Sequence, residues 1–258
     1  MAMAQSIENV DAGIHARMRA SEIEEARLVQ QAMLPREALH TAEIEFAFRF
    51  RPVTEVGGDF LDFFELDDKS VAFYLGDVVG KGLPAAMFAA LAVGSLRGMH
   101  KTGAQPRAVM ETLNRRLRMR LIPGRYCSVL YGTYRPETRE FFHANSGLPK
   151  PIRVTRAGCA ELGAGGLPPG LFEGATYDQY ATKLEPGDTL VFCSDGVIDA
   201  RNADGDDFGE PRLLAVCSAY AEATADKLLE EIFRAVDEFA AGERQHDDIT
   251  LAAMRVNR

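Results

Sequence analysis

The chain has 258 residues, 47% of them hydrophobic and 26% charged, and 29 basic against 38 acidic residues give a formal charge of −9. That size and balance suit one large soluble domain or two small ones, and the negative charge argues against nucleic acid or an anionic membrane as the main partner. No apolar run reaches the length of a bilayer span, the N-terminus lacks a secretory layout, and the four cysteines form no CxxC pair, so reduced thiols and a cytoplasmic location are expected.

Residues 14–34, IHARMRASEIEEARLVQQAML, hold no Gly or Pro and predict a helix that Pro35 ends. Its apolar positions Ile14, Met18, Ile23, Leu28 and Met33 keep no single heptad register, which favours a domain-capping or partner-packed helix over a coiled coil. Residues 1–13 show no strong pattern and are expected to fray. From residue 44 the pattern alternates: IEFAFRFRPV, FLDFFEL and SVAFYLGDV predict three strands separated by turns. LPAAMFAALAVGSLRGMH and PRAVMETLNRRLRMRL predict two helices, the first with Pro84 in its first turn and Gly103 beyond its end, the second opened by Pro106. YCSVLYGTYRP, REFFHAN, PIRVTR and GDTLVFCSD return to strands; FGEPRLLAVCSAY and ADKLLEEIFRAVDEFAA predict helices, and DDITLAAMRV a closing strand. Grouped strands and grouped helices favour a layered α+β domain over a doubly wound sheet.

Four acidic segments share a design: VGGDF with Asp59, YLGDVVGKG with Asp77, VFCSDGV with Asp195, and QHDDIT with Asp247 and Asp248. A carboxylate at the end of a buried strand is partly desolvated and prefers its proton unless something positive is near. No basic run flanks these sites, so a common hard divalent cation answers the need. Gly58, Gly76, Gly80, Gly82 and Gly196 would let backbone approach a metal or phosphate, and Asp77 with Val78 could offer a carboxylate and a carbonyl together. One such acidic segment at a strand end is ordinarily a turn; four in one chain point to a site.

In order along the chain, ARLVQQAMLP, RPVTEVGGDFLD, GDVVGKGLPAAMFAA, ANSGLPKP, SDGVIDARN, FGEPRL and HDDITLAAMRV resemble the bacterial PP2C-type serine/threonine phosphatases of the SpoIIE/RsbU kind, over about nine-tenths of the sequence. The resemblance implies an α-β-β-α sandwich, two antiparallel sheets flanked by helices, with residues 1–40 as an N-terminal regulatory or linker helix and 41–258 as the phosphatase domain. It implies two divalent metal ions, Mn2+ or Mg2+: Asp77 as the bridging carboxylate with the Val78 carbonyl beside it, Asp195 and Asp247 on the first metal, and Asp59 on the second. Asp248, His246 and Gly58 are expected in supporting positions. The implied reaction is in-line attack on a phosphoserine or phosphothreonine by metal-activated water, with no phosphoenzyme. The implied substrate is a phosphoprotein, in relatives often a STAS-domain anti-anti-sigma factor. The ARLVQQAMLP helix is where relatives join an upstream sensor or receiver module, so docking or homodimerisation through it is expected.

Departures matter too. Leu148 stands where many relatives carry a His, Val79 stands where Ser is common, and no phosphate-gripping basic residue can be placed; Arg49 and Arg51 are candidates that could as well be solvated. Cys193, two residues before Asp195, could share its face, but no basic neighbour would stabilise a thiolate and a core role is favoured. His246 adjoins the Asp pair, yet spacing cannot orient its ring. His15, His40, His100 and His143 show no ligand spacing. GGDF also occurs in cyclic-dinucleotide synthases, but Phe60 follows Asp59 where that signature needs a second acid. The stronger rival is a non-catalytic PP2C-like scaffold, against which the retained aspartates argue.

Overall fold

The computed structural model describes residues 2–99, 105–119 and 121–257, with side chains within the first helix described for His15 and from Arg17 onward. In chain order the elements are α1 (Ala2–Met33), β1 (Leu39–His40), β2 (Ile44–Arg51), β3 (Phe60–Glu65), β4 (Val71–Val78), α2 (Gly82–Arg97), α3 (Pro106–Arg118), β5 (Cys127–Arg135), β6 (Glu140–Ser146), β7 (Ile152–Thr155), β8 (Gly158–Glu161), β9 (Tyr180–Lys183), β10 (Thr189–Cys193), α4 (Asp195–Ile198), α5 (Gly209–Ala219), α6 (Ala225–Ala240) and β11 (Ile249–Val256). Helix α1 starts well before the expected residue 14, while His100 and Gly103 lie outside the described residues. The fold is the expected α+β sandwich: one sheet runs β1-β2-β11-β10-β7-β8, the other β3-β4-β5-β6-β9, and the pairings are antiparallel.

Strand alternation explains the layers. Along β4 the odd residues Val71, Phe73 and Leu75 face the opposite sheet, while Ala72, Tyr74 and Val78 face α2 and α3. Between the sheets Phe73 stacks on Phe141 at 5.9 Å and leans on Phe192 at 4.5 Å and Phe46 at 5.2 Å. Each ring so enclosed contributes roughly 2–3 kcal/mol of burial. On the far side α6 presents Leu228, Leu229, Ile232 and Val236 to β2, β10 and β11, and the Thr224 hydroxyl caps its first turn by accepting from Lys227 N at 3.2 Å.

Helix α1 lies against α2, and Arg97 of α2 fastens it, donating from Nη2 to the Met33 carbonyl at 2.7 Å and from Nε to Asp62 at 2.9 Å. Asp62, three residues past Asp59, therefore belongs to this strut. Strands β1, β8 and β9 and the single turn α4 were not legible, being two to four residues long and carrying no periodic run.

Candidate metal centre

Antiparallel register places the aspartates. Phe60 pairs with Gly76, so Asp59, just before β3, and Asp77, near the end of β4, share one end of their sheet. In the other sheet Cys193 pairs with Leu251 and Ile249 with Arg51, so Asp195, just after β10, and Asp247 and Asp248, just before β11, share one end as well. Two links stitch these ends together. Thr250 of β11 donates its hydroxyl to Asp59 Oδ2 at 2.5 Å, and Asp248 accepts from Val53 N at 2.7 Å, Gly58 N at 2.6 Å and Asp59 N at 3.4 Å. Asp248 thus folds the 53–59 loop around its own carboxylate, and Asp59 is set by that loop.

The carboxyls act on one another. Burial and then the charges of Asp77 and Asp248 push Asp59 well above the ordinary carboxyl range, and its side chain shares a hydrogen bond with Asp77. Asp77 is raised to about 7, by burial first and then by Asp195 and Asp247. Asp195 is raised by burial and then by Asp247 and Asp199, and Asp248 chiefly by burial. Sequence reasoning expected Asp195 at a strand end; it opens the turn of α4 instead, after Ser194.

The neighbourhood is cut to fit. Gly58 lies where an added Cβ would stand 2.9 Å from the Val78 carbonyl oxygen, so its bareness lets the 53–59 loop reach the Asp77–Val78 backbone. Gly76, expected to serve approach to a ligand, instead makes room for the Phe60 ring, 2.2 Å from a Cβ placed there. Lys81 places its ammonium 2.9 Å from Asp247 Oδ2 and donates to the His246 carbonyl. His246 is itself exposed and lines a cavity of about 500 Å³ beside Asp247, together with Arg51, Lys81, Arg201 and Arg244.

Other expectations resolve differently. Arg49 and Arg51 are committed to Asp226 at 2.6 Å and Asp237 at 2.8 Å, both on α6. Cys193 is buried in the core beneath α5 and α6 and its thiol is pushed up by burial, as a structural cysteine's would be. Leu148 packs into the inter-sheet core. Sequence reasoning missed Gln30, whose buried amide clamps Gly57 from both sides, donating to its carbonyl at 2.7 Å and accepting from its N–H at 3.0 Å. It also missed Lys81 and Thr250. Thr250 had a signal, because it lies two residues past Asp248 and so on the same strand face.

The donors that meet here are oxygens, with no imidazole or thiol among them, a set matched to Mg2+ or Mn2+. Among the described residues no three donors are already gathered round one point. The residues fit a hard cation even so: the buried Asp59 and Asp77 carboxyls share a hydrogen bond, and an ammonium sits on Asp247.

The family model for Stage II sporulation protein E (SpoIIE) matches residues 67–257. The phosphoserine phosphatase RsbU of Bacillus subtilis is 27% identical over 238 residues, covering 91% of this chain and 70% of its own. Among solved structures, the SiaA-PP2C domain of Pseudomonas aeruginosa superposes with a TM-score of 0.82 at 20% identity, over 94% of this chain and 98% of that one. The PP2C phosphatase domain of SpoIIE from Bacillus subtilis, solved with a fragment of its regulatory domain, gives 0.75 at 16% identity, over 83% and 62%. A fold of two antiparallel sheets between helices, acidic loops meeting at one end of both, and a family match across most of the chain place it in the SpoIIE family of PP2C-type phosphatases.

Proposed function

We propose that the chain is a metal-dependent protein serine/threonine phosphatase acting on a phosphorylated regulatory protein, with a STAS-domain anti-anti-sigma factor as the expected substrate. The observation that carries this reading is the approach of Asp59, Asp77, Asp195 and Asp247 from the ends of two sheets, where burial and the neighbouring carboxylate charges raise the proton affinity of Asp59, Asp77 and Asp195. Two divalent ions, Mn2+ or Mg2+, would supply an acidified water and positive charge for the phosphoryl oxygens. Asp59, Asp77 with the Val78 carbonyl, Asp195 and Asp247 would hold them. Asp248 keeps the Asp59 loop in place through three backbone N–H groups. The cavity beside Asp247, with Arg51, Lys81, Arg201 and Arg244 on its walls, is where the substrate chain would lie. The test is Mn2+-dependent hydrolysis of an aryl phosphate by the full chain, abolished by a chelator and restored by added metal. Metal binding without turnover on the aryl ester or on any phosphoprotein would assign a scaffold instead.

Residues 1–40 form the regulatory segment in this reading, and 41–258 the catalytic domain. Exposed Met18, Leu28 and Val29 on α1, and Leu83, Met87 and Leu91 on α2, support docking of an upstream module or a second copy there. Gln30 links α1 to the 53–59 loop. Gln30→Ala removes two buried hydrogen bonds to Gly57, about 2 kcal/mol together. It is expected to lower the melting temperature and raise the Mn2+ concentration giving half-maximal activity several-fold. Gln31→Ala, on the exposed face, should do neither. Equal Mn2+ curves for wild type and Gln30→Ala would remove α1 from control of the site.

A further inference from the structure

We infer that Arg125 binds the phosphate group of the substrate, an inference that rests on the phosphatase reading. A phosphate monoester entering this site meets a ring of carboxylates, so its oxygens need a positive partner from the chain as well as from metal. Basic residues on the cavity walls, and Arg49 on β2, are already committed. Arg49 holds Asp226 at 2.6 Å, Arg51 holds Asp237 at 2.8 Å, Lys81 holds Asp247 at 2.9 Å, and Arg201 holds Asp207 at 3.1 Å. Arg244 is exposed on the loop before Gln245, and among the described residues none holds its guanidinium in place.

Arg125 differs on each count. The ladder between β4 and β5 ends at Val78 paired with Cys127 and continues one step further, Val79 N donating to the Tyr126 carbonyl at 3.1 Å, which sets Arg125 opposite Gly80. Its guanidinium donates from Nη1 to the Val79 carbonyl at 2.6 Å, two residues from Asp77 and one from Val78. Gly80, at φ +95°, carries no side chain there; a Cβ would stand 2.5 Å from Nη1. The half-buried arginine is held further by its own N–H, which donates to the Ile122 carbonyl at 3.1 Å in a tight turn. Among the described residues one of its five guanidinium N–H donors is used, and Arg125 enters no ion pair with a carboxylate. A fixed planar fork with free donors, beside the backbone that carries Asp77 and Val78, is the geometry that takes two phosphate oxygens at once.

The test titrates inorganic phosphate into the full chain in the presence of Mn2+ by calorimetry, with Mn2+ binding measured separately. Arg125→Ala is expected to weaken phosphate binding roughly tenfold or more and to raise KM for an aryl phosphate in step. Its Mn2+ affinity should stay within about twofold of wild type, since the loss is of one charge-assisted contact to phosphate and not of a metal ligand. Arg125→Lys should recover part of the loss, keeping charge without the fork. Unchanged phosphate affinity in Arg125→Ala overturns the inference, as does Mn2+ affinity falling in parallel, which would make Arg125 a clamp on the loop. A wild-type chain that binds phosphate in an Arg125-dependent way but hydrolyses no ester sinks the phosphatase reading and leaves the phosphate site standing.

Discussion

Asp77→Asn is expected to abolish metal-dependent hydrolysis and, at the same time, to make the chelator-treated protein more stable at neutral pH. Both follow from one feature. Asp77 is held at about 7 by burial and by the Asp195 and Asp247 charges, against an ordinary value of 3.8. As pH rises from about 4, the unfolded chain gives up this proton first, so the folded state holds more protons and stability falls with pH until about 7. Above that the charged carboxylate costs the metal-free fold roughly 4 kcal/mol. Asparagine has no charge to desolvate and its amide still offers a hydrogen bond to Asp59. The chelated variant should therefore melt higher than wild type at pH 8, and the gap should close towards pH 4. Loss of activity should exceed the roughly 10–100-fold that follows removal of a mere supporting partner. A chelated variant melting below wild type at pH 8 would show that the carboxyl cluster is not strained, and the case for a cation there would weaken with it.

The same tension explains what was legible in the sequence. Asp59, Asp77, Asp195 and Asp247 each lie within two residues of the end or start of a strand, and strand periodicity is the most readable signal in a chain. Their meeting is a matter of register between partners far apart in sequence: Asp59 is fixed by Thr250, 191 residues away, and by the Asp248 carboxylate. No local pattern carries that information; the ordered family motifs did. Gln30 was hidden for a related reason. On α1 it is one polar residue among many, and its function depends on the Gly57 backbone, 27 residues on. Lys81 and Arg125 were overlooked because a basic residue in a glycine-containing loop is most often solvated. Only the loop's fold shows that Lys81 reaches Asp247 and Arg125 the Val79 carbonyl. The short edge elements β8 and β9 were missed because their four residues each, GCAE and YATK, take strand form through a neighbour and have no pattern of their own.

Gly196→Ala carries the largest steric effect that a single methyl group can have in this site. Gly196 is the second residue of α4, one past Asp195, and a Cβ there would stand 2.0 Å from the Asp248 carbonyl oxygen, 3.0 Å from its carbonyl carbon and 3.4 Å from the Asp247 Cβ. The obstacle is backbone, so rotation of a side chain cannot relieve it. Nor can either strand end yield cheaply. Ser194 N donates to the Thr250 carbonyl at 3.0 Å, Thr250 N donates to the Ser194 hydroxyl at 3.0 Å, and that hydroxyl reaches the Asp248 carbonyl at 3.3 Å. Moving α4 away from β11 breaks this lock and separates Asp195 from Asp247. The variant should lose about 3 kcal/mol, at the upper end of overpacking costs, and its Mn2+-dependent activity should fall further than its stability does. Gly94→Ala is the matching control: also helical, exposed, with nothing within 4 Å of its added Cβ, it should gain about 0.5–1 kcal/mol and keep full activity. Thermal melts and Mn2+ titrations of the two variants side by side decide it. If Gly196→Ala binds Mn2+ and melts as wild type does, Asp195 and Asp247 are not held at the separation on which the metal reading depends.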